Sequence, residues 1–485
     1  MKLRHIALLV GLLILPGLYP TVVYGQAPVD DLEDTTDVDI IPETPEAEAD
    51  LPEAPTGPSI VEVYNQGVER YNSGDLSAAL EAFNQVIERD QGFANAYIYR
   101  SLIYAEQGQY DRALADINQA QILAPNNATA YTTRGMLYYR QGNLEQAQTD
   151  FNLALEADPD TVNAYLYRGL IDTQQGRHDL ALEDFTTAIE IDPNNPSAYV
   201  LRGFAWERIG SYSEAVSDFS RAIDLNGNLA RAYMGRGVAY YHMGMYDSAL
   251  DDLNQAIRRD DQLARAYLNR GHVYFRQGRP TRSLQDLDRA IELAPDLAEA
   301  FISRGVVRTY QNNLRGAEQD FARVLQLNPD SATAYRLKGD VLMQAGNPLA
   351  AIDDYSEALF LDPNYAEAFK ARGNARLETG DVFGAIDDYS QALAVRPNYL
   401  AALAARGGAY SQVGQAQNAY DDLTQAILGA PGTADAELYF NRGVVRANLG
   451  DSLGARRDFE QAANLYLQQG EAVGYRQTLE RMRQL

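Results

Sequence analysis

The 485-residue chain contains no cysteine. Disulfides, thiolate metal sites and a cysteine nucleophile are therefore excluded, and so is an acylated N-terminal cysteine of the lipoprotein kind. Histidine is nearly as scarce, with His5, His178, His242 and His272 the only four. No two of them stand at i, i+4 beside acids in a metal-binding pattern. Positive charge is also short: 41 Lys and Arg against 67 Asp and Glu leave a net charge of −26. A surface of that sign repels nucleic acid and anionic membrane, because phosphate binding needs a surplus of Lys and Arg. Glycine is plentiful but spaced out, so no glycine-rich loop is present to cradle a phosphate. These shortages leave no convergent set of titratable groups for catalysis, and the residues imply no metal, no cofactor and no enzyme.

What the chain does have is a period of 34 residues, repeated eleven times without a gap and once more after a two-residue slip. Gly67, Gly135, Gly169, Gly203, Gly237, Gly271, Gly305, Gly339, Gly373 and Gly407 mark it, with Gly443 two residues late. A fixed period of this length means an array of identical units that pack on their neighbours rather than around one core. In the unit Val162–Asn195, Tyr165 and Gly169, then Ala181, Phe185 and Ala188, recur at helical spacing, which predicts two amphipathic helices. Gly176 separates them, and its counterpart in one unit is Asn312. Asn is the next best residue at positive φ, so this place reads as a left-handed helix C-cap. Pro280 and Pro348 fall two residues later, where a second helix has just begun. Prolines such as Pro125, Pro193, Pro295 and Pro363 end it.

Two segments precede the array. Lys2, Arg4 and His5 followed by the apolar run Ile6–Leu18 read as an export signal over residues 1–25; the alternative is an uncleaved membrane anchor. Residues 26–59 carry eleven acids and six prolines, with no Lys or Arg, and read as a disordered spacer. An acidic arm that binds a partner, or the chain's own groove, is the sharper alternative. With the two basic residues of the signal and the eleven acids of the arm set aside, −17 remains on residues 60–485.

Tyr165, Gly169, Ala181, Phe185, Ala188 and Pro193, with their counterparts, resemble the tetratricopeptide repeat. The resemblance covers residues 60–469. It implies an all-α fold: an α-solenoid of about twelve tandem helix–turn–helix units in a right-handed superhelix. Residues 470–485 read as a C-terminal capping helix, with Tyr475, Leu479 and Met482 on one stripe. The ending from Leu465 resembles those of cyanobacterial repeat proteins, which implies a bacterial protein of the periplasm or thylakoid lumen.

One departure from the family pattern is systematic. Where the family usually has Leu, eleven units carry Arg or Lys, and an Asp follows sixteen residues later, as in Arg134 and Asp150, Arg168 and Asp184, Arg236 and Asp252, Arg270 and Asp286. The first unit lacks both, with Gln66 and Ala82. Pairing within a unit satisfies every basic residue, whereas pairing across units would strand Arg100 and Asp458. We therefore expect structural ion pairs between the two helices of each unit. An anion-binding arginine row is the weaker reading, because each Arg would arrive already neutralised. Acid pairs such as Asp353–Asp354 look catalytic only until the period is seen.

In the family, first helices line a concave groove that binds peptide segments of other proteins. The resemblance places Met136, Tyr139, Arg140, Leu170, Phe204, Arg208, Met234, Tyr241, His242, His272, Phe275, Arg276 and Tyr310 in that groove, after which Arg336, Asp340, Lys370 and Asn374 turn it polar. It implies an exported protein–protein interaction scaffold with proteins or peptides as partners and no nucleic acid. The alternatives are a membrane-anchored assembly factor, a self-associating array and, least favoured, an enzyme subunit.

Overall fold

A computed structural model describes residues 58–430 and 435–485. The export segment 1–25 and the arm 26–59, save Pro58 and Ser59, lie outside the described residues. Among the described residues there are twenty-five helices and no strand. They run as twelve helix–turn–helix pairs, from Ile60–Asn72 with Leu76–Arg89 to Ala436–Asn448 with Ser452–Gln468. A single helix, Ala472–Arg483, follows the last pair. The described residues divide into two compact bodies, one ending at Ala266 and the other starting at Tyr267. In each body the first helices of successive units touch one another, and the second helices make no comparable contact. First helices are therefore the closer, inner layer and second helices the wider, outer one.

The turn inside each unit depends on backbone handedness. Gly176 has φ of 73°, and Asn312, the one non-glycine residue in that role, has φ of 61°. In the fourth unit, Val162–Gln174 with His178–Ile191, the Gly176 N–H donates to the Thr173 carbonyl and the Arg177 N–H to that of Asp172. These bonds close the first helix and leave the chain pointing back along it. Pro280 and Pro348 each stand at the first position of a second helix, where a missing N–H costs nothing.

Antiparallel helices bring residues equidistant from the turn face to face. Gly169 meets the ring of Phe185 so closely that a Cβ there would fall 2.6 Å from Cε1. The same holds for Gly135 with Phe151 and Gly373 with Tyr389. Where the partner is Leu253, the space at Gly237 relaxes to 3.0 Å. The second unit resolves the contact from the other side: Ser101 stands at the glycine's place and the slimmer Ile117 at the ring's, both fully buried.

The basic residue lies eight residues before the turn, and the Asp eight after it. Arg168 Nε and Nη2 donate to the two carboxylate oxygens of Asp184 at 2.8 and 2.7 Å. Arg134 meets Asp150, Arg236 meets Asp252 and Arg270 meets Asp286 in the same two-pronged way, all between 2.6 and 2.9 Å. Arg168 Nη1 donates to Asn152 Oδ1 at 2.7 Å, on the second helix of the preceding unit. Ser220 takes the same bond from Arg236, and Ser390 from Arg406. The guanidinium therefore ties three helices. Half-buried and bonded on every side, each such pair contributes on the order of 1–3 kcal/mol.

One unit breaks the pattern. Lys338 donates one bond, to Asp354 Oδ1 at 2.8 Å, and Asp354 Oδ2 is buried without a partner. Burial pushes the Asp354 carboxyl up, and Lys338 offsets this only in part. The residue two after the preceding Asp320 is Ala322, which offers no side-chain acceptor, so a third prong would have nothing to hold.

Two outcomes follow from this packing. Gly169→Ala is expected to destabilise its unit by about 1–3 kcal/mol. Adding Phe185→Leu should return at least half of that loss relative to Phe185→Leu alone, as measured by hydrogen exchange in Val162–Gln174; additive losses would refute the contact's role. Lys338→Arg should supply the missing second bond and stabilise the ninth unit by about 0.5–1.5 kcal/mol at neutral pH. Because the folded carboxyl of Asp354 titrates high, its ionised form is the costly one, and stability falls as pH rises through that range. Arg should flatten the fall, and an unchanged pH dependence would show that Oδ2 is not under strain from its missing partner.

Candidate interaction surface

The expected groove residues separate into two groups. Met136, Tyr139, Leu170 and Met234 are buried, each at 6% exposure or less, and do not line a surface. The first three belong to one core cluster with Leu166, Tyr167 and Val200. Met136 and Leu170 each follow a marker glycine and pack where neighbouring first helices touch, whereas Phe204 and His272 at the same place stay half-buried. The Tyr139 ring also meets Tyr167 edge-on at 5.6 Å. These four are corrected from binding residues to core.

The rest retain exposure. Phe204, Arg208, Tyr241, His272 and Phe275 are half-buried, and Arg140, His242, Arg276 and Tyr310 are exposed. His242 stacks on Tyr212 at 4.7 Å, and Phe204 meets Phe219 edge-on. In the second body, Phe275 meets Tyr310 edge-on at 5.4 Å, and His272 Nε2 lies 2.7 Å from Ser303 Oγ. The residues Met136 to His242 belong to one body and His272 to Tyr310 to the other, so they form two local strips. No group of three or more metal-ligating side chains converges among the described residues.

The more distinctive feature lies further on, where the sequence had shown only a change to polar residues. Arg336, on the helix Ala332–Gln344, is buried. Its Nε donates to the Tyr365 hydroxyl at 2.6 Å and its Nη1 to Asp340 Oδ2 at 2.5 Å. Tyr355 donates to the other Asp340 oxygen at 2.8 Å. One unit on, Lys370 occupies the place of Arg336 on the helix Ala366–Thr379. No hydrogen bond or ion pair accompanies its ammonium. Burial pushes Lys370 down, the Asp340 charge holds it up and the Arg336 charge lowers it further. Asn374, a turn later, uses its carbonyl to accept from Tyr389 at 2.8 Å, which leaves its amide N–H groups as donors. Two cations thus share one carboxylate, and the cluster is short of negative charge within an otherwise acidic array. The chain has only three lysines, Lys2, Lys338 and Lys370, so an ammonium here is a departure in itself.

Tandem helix pairs, glycine-capped turns and an inner layer of first helices define a helical-repeat array. Tetratricopeptide repeat models match residues 64–128, 101–171, 264–297 and 303–366, and TPR repeat models match 169–210 and 239–278. The chain belongs to the tetratricopeptide repeat family. Among solved structures it is similar to the APC/C hetero-tetramer Cut9–Hcn1, at 14% identity over 88% of this chain and 96% of that one, with a TM-score of 0.49. A tetratricopeptide repeat protein from Parabacteroides merdae is 22% identical over 52% of this chain and 99% of its own, at a TM-score of 0.44. YrrB, a TPR protein with an unusual peptide-binding site, is 26% identical over 39% of this chain and 98% of its own, at 0.32. No curated protein matches the chain.

The charge balance of the cluster is directly measurable. Asp340→Asn removes the charge that holds Lys370 up, so the amine should titrate lower than in the parent; Arg336→Gln should move it the other way. With so few lysines, the Cε resonance of Lys370 is easily followed by NMR. If neither substitution moves it, the two cations do not share a field.

Proposed function

We propose that this chain is a non-enzymatic interaction scaffold, acting outside the cytoplasm, that takes segments of partner proteins against its inner layer of first helices. The observation that carries the reading is the Lys370 ammonium, half-buried without an acceptor beside the buried Arg336. A half-buried cation that shares its one nearby carboxylate with a second cation is costly, and a carboxylate from outside would lower that cost. Arg336, Lys370 and Asn374 supply donors of the right kind for an acidic side chain or a chain terminus. Half-exposed rings such as Phe275 and the exposed Tyr310 supply apolar contact for the rest of a bound segment. The export reading rests on the N-terminal sequence alone.

The test uses the full chain and two fluorescent peptides of equal length, one rich in Asp and Glu, the other with each acid replaced by Asn or Gln. The acidic peptide should bind more tightly in an anisotropy titration, and Lys370→Met should weaken it at least tenfold while helix content stays constant. Equal binding by Lys370→Met would sink the reading. N-terminal sequencing of the mature protein addresses location. A start near Gln26 supports export, and an intact Met1 supports the membrane-anchored assembly factor instead.

A further inference from the structure

The second helices of the ninth, tenth and eleventh units are Pro348–Leu361, Val382–Val395 and Ala416–Leu428. Their outer faces depart from the period in one direction. Leu349 and Phe383 stand at equivalent places near the helix starts and are 67% and 66% exposed. In all eight earlier units that place holds Ser, Thr, Asp, Glu or Arg. Phe360 and Leu428, near the helix ends, are 81% and 71% exposed. Of the eight earlier counterparts of Phe360, Ile122 alone is apolar. Leu349 and Phe360 are eleven residues apart, which places them on one face of one helix, separated by about 16 Å.

Between these apolar ends the face is acidic. Asp353, Glu357, Asp387 and Asp421 are exposed and take part in no ion pair. The three helices contain no Lys or Arg. The basic residues of the ladder are turned to the inside, where Lys338, Arg372 and Arg406 are spent on Asp354, Asp388 and Asp422. We propose that this outer face docks a basic amphipathic helix of a partner protein, with apolar side chains about three turns apart seated on Leu349 and Phe360 and Lys or Arg between them facing the acids. Exposed aromatic and aliphatic anchors with charge of one sign between them fit a helix of the opposite sign. A second copy fits poorly, because a twofold contact would set the acids of one chain against the same acids of the other. An anionic membrane is repelled for the same reason. The face lies on the outer layer, apart from the Lys370 cluster, so the two readings stand or fall separately.

The test is a titration of the full chain with a synthetic eighteen-residue helix of Leu and Lys, Leu on one face, against the same peptide with Glu for Lys. The Lys peptide should bind and the Glu peptide should not. The four side chains involved are at the surface, so Phe360→Ser with Phe383→Ser should keep the helix content and weaken binding at least tenfold. Asp353→Asn with Asp387→Asn should weaken it and flatten its salt dependence. Lys370→Met should leave it unchanged. Unaltered affinity in the double Phe variant would show mere charge attraction and overturn the proposal. So would equal binding of the Glu peptide, a loss with Lys370→Met, or a dimer in sedimentation that Phe360→Ser dissolves.

Discussion

The architecture depends on a guanidinium placed midway between two turns. Arg168 is eight residues before the turn of its own unit, so it faces Asp184. It is equally far from the turn that precedes its helix, so it also faces Asn152. No other type of side chain could satisfy both neighbours: the planar fork presents two parallel donors to a carboxylate and keeps a third for the other side. Within each body this ties neighbouring hairpins together, with the link missing at Lys338. In a solenoid, stability is a sum of unit and interface contributions, and this one residue adds to both.

The same tie explains which substitutions travel together. Lys338 replaces Arg in the unit whose predecessor has Ala322, where no side-chain acceptor stands ready for a third prong. The first unit lacks the pair altogether, with Gln66 and Ala82 in its place. Ser101 and Ile117 exchange volume across the same interface that Gly169 and Phe185 divide differently. The Ser101–Ile117 exchange keeps the volume balanced, whereas Lys338 leaves Asp354 Oδ2 without its second donor.

Much of this could be read from the residues alone. Gly176 and Asn312 announce a left-handed turn because those residue types tolerate it best, and the sixteen-residue interval between Arg168 and Asp184 announces a strut. What the sequence hid were matters of distance between units. Met136, Tyr139, Leu170 and Met234 recur on the inner faces of first helices, and periodicity places them there correctly. Periodicity does not say how closely one first helix approaches the next, and that closeness buries them. The third prong is hidden for a related reason: Asn152, Thr186 and Ser220 differ in type, and share only the ability to accept a hydrogen bond. Lys370 was visible as a polar residue, but its lack of an acceptor is a property of its surroundings.

A repeat array hides its function in what it does not repeat. The positions common to all units are consumed by turns, ring-to-glycine contacts and the ladder, and their charges cancel in place. Beyond the Lys338–Asp354 pair, two sets of departures among the described residues leave charge unbalanced. On the inner layer, Lys370 adds a cation to a cluster that has a carboxylate for one. On the outer layer, Leu349, Phe360 and Phe383 expose apolar surface amid acids that have no counter-charge. Both lie in the ninth and tenth units. The imbalances are opposite in sign, so a single ligand does not resolve both. On the two readings proposed above, the layers attract opposite charges, an acidic segment on the inside and a basic helix on the outside.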